Sequence, residues 1–192
     1  MFPTTHDITP EHLDSCLAVI ENILRAGNDI LIVSKPHLDC IKAICGRFSM
    51  YREAILFRFS IGAMDDTILG YWEPGAPTFD ERLSCLRYAH AEGYATSVSC
   101  EPLLDAPKVV ALFNALRPYV TDSIWIGKMN EARRRAAPGT DPRAIARIEA
   151  GQTPEAIRII YDLLKYDPLV RWKESYKAVL GLDLATEAGL DK

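Results

Sequence analysis

Polar residues with chemistry to offer recur at the ends of short apolar runs. Thr4, Thr5, His6 and Asp7 lie at the start of the chain. Ser34, Lys35 and His37 follow the run Asp29 to Val33, and Arg58, Ser60, Asp65 and Asp66 close or follow Ala54 to Ile61. Ser99, Cys100, Glu101 and Asp105 follow Ala95 to Ser99, while Lys128 and Asn130 follow Ser123 to Ile126. His6 beside Asp7 has the composition of a general base. Lys35 and Lys128 are amines at positions where a Schiff base forms in barrel lyases, against the competing reading of solvated lysines. Arg58 and Ser60 share one face of their run by the period of two. A guanidinium inside an apolar strand is costly without an anion, so Arg58 calls for a carboxylate such as Glu101 or a bound ligand. Each of these residues, taken alone, also has a structural reading as a helix cap or a satisfier of loop backbone.

The elements that would position them alternate. Thr9-Pro10-Glu11 gives an N-cap, a proline at the first helical position and an acid in the first turn. Leu13, Leu17, Ile20 and Leu24 continue at helical spacing to Gly27. A strand over 29–33, a helix carrying Leu38, Ile41 and Ile44, and a strand over 54–61 follow. An irregular connection leads to a helix over about 79–92, a strand over 95–99, a helix from about Pro107 to Leu116 and a strand over 123–126. A first strand is expected to end near His6. Strand ends then recur roughly every 30 residues, the length of a parallel strand-plus-helix crossover. Beyond Asn130 only helices are expected: Asp141 to Ala150, one opened by Thr153-Pro154-Glu155, and a last one opened by Asp167-Pro168 with Trp172, Tyr176 and Leu180 on its buried face. The end of the chain, from about Thr186, reads as frayed. The predicted fold class is α/β, a partial parallel (β/α) barrel of about five strands over 1–130, with a helical extension over 131–192 packed on it.

Composition narrows the roles. The 192 residues are 48% hydrophobic and 25% charged, which suits one folded domain. A formal net charge of −4 gives no global attraction to nucleic acid, leaving only a local patch such as Arg133-Arg134-Arg135, for which a solvated loop is the competing reading. No stretch reaches the roughly 18 apolar residues that span a bilayer, and Met1 to Asp7 lacks an export signal, so a cytoplasmic protein without a membrane anchor is expected. The five cysteines, Cys16, Cys40, Cys45, Cys85 and Cys100, are odd in number and lack a ligating spacing, so reduced thiols and no metal site are read. Trp72 and Trp125 are pocket candidates with core packing as the alternative.

The residues also carry a resemblance. Arg58-Phe-Ser-Ile61, Trp72-Glu-Pro-Gly75, Pro77, Glu81-Arg82, Gly93-Tyr94, Thr96-Ser-Val-Ser-Cys-Glu-Pro102 and Ile124-Trp-Ile-Gly-Lys-Met-Asn130 together resemble radical S-adenosylmethionine (SAM) enzymes of the spore photoproduct lyase-like group. The resemblance covers most of residues 1–130. It implies a partial barrel whose first loop holds a [4Fe–4S] cluster through C-x3-C-x2-C, with SAM chelating the open iron and the later strands cradling SAM. By position it places Thr4 and Thr5 at the methionine part of SAM and Ser60 near the ribose, with Arg58, Glu73, Arg82, Ser99 and Glu101 as neighbours of SAM or substrate. His6, Asp7, Lys35, Lys128 and Asn130 are candidates to face the substrate.

The chain departs from that family in one respect, since no C-x3-C-x2-C is present. A cluster is then expected only if a segment outside this sequence supplies the cysteines, with Met1 either an internal methionine or a true start. The functional expectation is the SAM- and substrate-binding part of a radical SAM barrel, with a non-catalytic binding or scaffold module as the alternative and a Schiff-base lyase as a third reading. About five parallel strands cannot close a barrel, so self-association along an open edge is also expected.

Overall fold

The computed structural model describes residues 1–186. In chain order the elements are α1 (Leu13–Arg25), β1 (Ile30–Ser34), α2 (Leu38–Arg47), β2 (Ile55–Ser60), α3 (Asp66–Trp72), α4 (Phe79–Ala91), β3 (Ala95–Cys100), α5 (Val109–Leu116), β4 (Ser123–Ile126), α6 (Ala132–Arg135), α7 (Pro142–Ala150), α8 (Pro154–Leu164), β5 (Val170–Trp172) and α9 (Glu174–Leu180). The strands form one five-stranded sheet in the order β1-β2-β3-β4-β5, every neighbouring pair parallel. This is an α/β fold of repeated strand–helix units, a partial β/α arrangement as the alternation predicts.

Local chemistry sets the helix starts. Asp65 caps α3 by accepting from Thr67 N at 2.9 Å, Thr78 caps α4 through Glu81 N at 3.3 Å, and Thr153 caps α8 through Ala156 N at 3.2 Å. Thr9 behaves differently from its expected cap role: its hydroxyl engages the Glu11 side chain, and a short 3-10 turn over Pro10–His12 precedes α1. The predicted stripe on α1 holds, with Leu17, Ile20 and Leu24 buried.

Crossovers between parallel neighbours are nearly always right-handed, so sequential strand order puts the helices on one face of the sheet. Burial follows that rule. On β2, Ile55, Phe57 and Phe59 are buried while Leu56, Arg58 and Ser60 are partly exposed, and β1 repeats the alternation. The core lies between the helices and the residues that point towards them, including Ile32, Phe57, Val98 and Ile124.

Two expectations are corrected. The chain start forms no strand running to His6: it contributes one parallel bridge, Phe2 to Ile32, after which Thr4, Thr5 and His6 are exposed. And a strand does follow Asn130. Val170–Trp172 pairs with β4, so the last helix begins at Glu174 rather than near Asp167. Three residues are too few for a periodic signal, and the four-residue spacing of Trp172 and Tyr176 also suits one face of a helix. Both are nevertheless packed inside, their rings stacked at 5.7 Å. The connection after β2 also contains the helix α3. The expected fraying from Thr186 falls almost wholly outside the described residues. Among the described residues no helix is long and apolar enough to cross a membrane.

The strand ends approach one another closely. Leu104 N donates to Gly62 O at 2.9 Å and Leu103 N to Gly127 O at 2.9 Å, drawing the loop after β3 against those after β2 and β4. A methyl group on Gly62 would collide with the Pro102 carbonyl oxygen. Gly62→Ala should therefore destabilise by about 1–3 kcal/mol in urea titrations. Gly46→Ala, in α2 with open space around it, should stabilise by about 0.5–1 kcal/mol.

Candidate functional site

The loops at the C-terminal edge of the sheet enclose a cleft of about 400 Å³, where ligands of open parallel sheets and barrels collect. Asp7 and Lys35 line one side of it, Trp72 and Glu73 another, with Leu104 and Met129 from the loops after β3 and β4. Asp7 is held firmly. Its Oδ1 accepts from Lys35 N at 2.7 Å and from Ser34 Oγ at 3.3 Å, and its Oδ2 lies 3.2 Å from Lys35 Nζ. Ser34 Oγ in turn accepts from Ile8 N at 3.0 Å, so the strand end and the chain start are locked together. His37 also lines the cleft, with Nδ1 3.8 Å from the Glu81 carboxylate.

Glu73 is positioned from behind by Arg82 on α4. The Arg82 side chain is fully buried and donates from Nη1 to Glu73 Oε2 at 2.6 Å and to Ser60 O at 3.0 Å, and from Nε to Pro77 O at 2.8 Å. One cation thus ties the Trp72-to-Pro77 loop to the end of β2. Its remaining nitrogen, Nη2, is buried without a hydrogen-bond partner among the described residues.

The predicted site residues divide into groups. Asp7, Lys35 and Glu73 meet at the cleft with Arg82 beneath. Thr4, Thr5 and His6 are exposed and do not line it; the His6 ring lies 6.1 Å from that of His12. Lys128 donates its backbone N–H to Ser175 Oγ at 3.2 Å, and Asn130 is exposed. Ser60 and Ser99 are paired in register on the sheet face opposite the helices, with Arg58 and Ser97 paired beside them. Glu101 is not the partner of Arg58 but of Lys173, at 3.1 Å. Arg58 instead donates to Ser97 Oγ at 2.9 Å, comes within 3.8 Å of Asp122 and lies over Trp125. Lys173 is not among the expected site residues because the segment from Asp167 is expected to be helical, and the three residues of β5 are too short to signal a strand. Of the basic run, Arg133 pairs with Glu149 and Arg134 with Glu131, so those two are engaged within the protein.

The cysteines do not fit an iron–sulfur cluster. All five are free and buried, set on α1, α2, α4 and β3, and none lines the cleft. Burial pushes the thiols of Cys45, Cys85 and Cys100 up to about 12 and that of Cys40 to about 11, the reverse of what a metal-binding thiolate needs. Among the described residues no group of three or more His, Cys, Asp or Glu side chains is placed to hold a metal ion. No protein-family model matches the chain, and neither a curated protein nor a solved structure does.

Arg82→Met should cost about 3–5 kcal/mol in chemical denaturation, because it strands Glu73, only 13% exposed, without its counter-charge. Arg82→Lys should recover part of that loss, since an ammonium cannot reproduce the planar fork. Ellman's reagent at pH 8 should leave the native thiols unmodified and titrate all five in denaturant. With thiols at about 12 in the fold against an ordinary 9.0, the unfolded chain ionises first. Their contribution to stability is complete below 9 and declines as the pH rises towards 12.

Proposed function

We propose that the cleft at the strand ends binds S-adenosylmethionine or a compound built like it, an amino-acid head joined to a nucleoside. The observation that carries this reading is the balance of charge around one cavity: Asp7 with Lys35, and Glu73 with Arg82, beside Trp72. A balanced pair of opposite charges suits a zwitterion better than a polyanion. Asp7 and Lys35 are the groups to hold an α-ammonium and an α-carboxylate, Glu73 is an acceptor for ribose hydroxyls, and Trp72 offers an aromatic face to a purine. This is also the ligand implied by the resemblance to radical SAM enzymes of the spore photoproduct lyase-like group, to whose barrel this part of the chain would correspond.

In such enzymes a reduced cluster supplies an electron to SAM. The five cysteines of this chain do not fit that cluster, so the proposal is confined to binding and orientation. The same misfit favours, as second reading, a binding module without its own catalysis.

Isothermal calorimetry with SAM, S-adenosylhomocysteine and methionine should give saturable binding to the two nucleosides. Lys35→Ala should weaken it about tenfold, equivalent to about 1.4 kcal/mol. Absence of heat with all three compounds, or an unchanged affinity in Lys35→Ala, overturns the reading. Iron and sulfide analysis of anaerobically prepared protein decides between its two forms, a stoichiometric cluster removing the module without catalysis.

A further inference from the structure

All-parallel sheets usually have both faces covered, and in closed barrels the inner face is packed with branched aliphatic side chains. The face opposite the helices follows neither pattern at its centre. β2 presents Arg58 and Ser60 there, β3 Ser97 and Ser99, and β4 Ser123 and Trp125. Ser97, Ser99 and Ser123 are buried, and the Ser97 and Ser123 hydroxyls are hydrogen-bonded within the sheet. What this face offers to a ligand is therefore the partly exposed Arg58 and Trp125 above a polar layer that suits no apolar wall.

Arg58 is the unusual member. Its side chain is only 17% exposed, and burial lowers its pKa because the charged form loses water. Against that cost it has, among the described residues, one hydrogen bond, from Nε to Ser97 Oγ. Its nearest carboxylate, Asp122, is 3.8 Å away, 45% exposed and already accepts from Ser123 Oγ at 2.5 Å. The guanidinium carbon lies 5.2 Å from the Trp125 ring centroid, and Lys173 Nζ lies 5.1 Å from the same centroid. The indole is therefore shared by two cations, while its own Nε1–H is buried without a partner among the described residues. Cation–π contact and one hydroxyl compensate a guanidinium only in part, whereas an oxyanion can take two of its N–H groups at once.

We propose that the open sheet face is a second binding site, for a small molecule carrying a carboxylate or phosphate group, with Arg58 as the anion-binding residue and Trp125 and Lys173 beside it. Neither Arg58, Trp125 nor Lys173 lines the cleft at the strand ends, so this site does not depend on what the cleft holds.

The indole makes the proposal readable. Tryptophan fluorescence of the full chain is titrated with inorganic phosphate and, separately, with succinate, replacing chloride at constant ionic strength. Trp125→Phe identifies the part of the signal that belongs to this face rather than to Trp72 or Trp172. A saturable change with either anion, absent in Trp125→Phe and weakened at least tenfold in Arg58→Met, supports the site. Response to phosphate alone assigns phosphorylated ligands, and response to succinate alone assigns carboxylates. If Arg58→Met does not fold, the thermal midpoint of the parent chain must rise with the same anion that alters the Trp125 signal. The proposal fails if neither anion changes the Trp125 signal, or if Arg58→Met responds like the parent.

Discussion

Five strands hydrogen-bonded in chain order, all pointing the same way, constrain everything else in this molecule. Each strand must be followed by a return across the sheet, and returns of one hand place the helices on one face and the strand-to-helix loops at one edge. The edge gathers Asp7, Lys35, Glu73 and Met129 from four separated stretches of sequence. Among the described residues the same constraint leaves the other face without helices, and it is there that Arg58, Trp125 and Lys173 meet. Both candidate sites are thus consequences of strand order, while side-chain chemistry decides what each can hold.

Close approach of the loops is then a matter of backbone and of one buried cation. Gly62 and Gly127 lie where neighbouring chain segments leave no room for a side chain, Gly127 being flanked by Glu101 and by Lys173. Arg82 works across a larger gap. A buried ion pair rarely adds much net stability, since desolvation of both partners offsets their attraction. Its value here is geometric: three acceptors from Glu73, Ser60 and Pro77 converge on one rigid guanidinium, which fixes a proline-rich loop against the end of β2.

The fold was largely legible because most of its elements carry strong periodic signals. DILIV and AILFRFSI are apolar runs of strand length, and the TPE signature before α8 states its own N-cap. What was illegible was short or non-local. β5 has three residues, and its place beside β4 depends on Ile124, Trp125 and Ile126 offering it an edge. Phe2 makes a single bridge for which no pattern exists. At the sites, sequence located the charged residues near strand ends but could not pair them. The need of Arg58 for a partner followed from desolvation alone, yet Glu101 was matched by Lys173 from a distant segment, and Ser97 and Asp122 took its place. Pairing is set by register, and register is a property of the assembled sheet.

β2 is the element that the two candidate sites share, and it is gripped from both sides. The Ser60 carbonyl is held by Arg82 at the cleft, and two residues earlier the Arg58 side chain crosses the open face towards β4. The two arginines meet opposite electrostatic situations. Arg82 is fully buried and has a carboxylate at 2.6 Å, so it is neutralised where it stands and acts on the cleft through Glu73. Among the described residues Arg58 has a looser carboxylate partner, Asp122 at 3.8 Å and 45% exposed, so part of its field reaches outward from the sheet. A cleft whose Glu73 is neutralised from beneath by Arg82 and a face carrying an under-compensated cation would select different chemistries, and that difference comes from the partners that the sheet brings to each arginine.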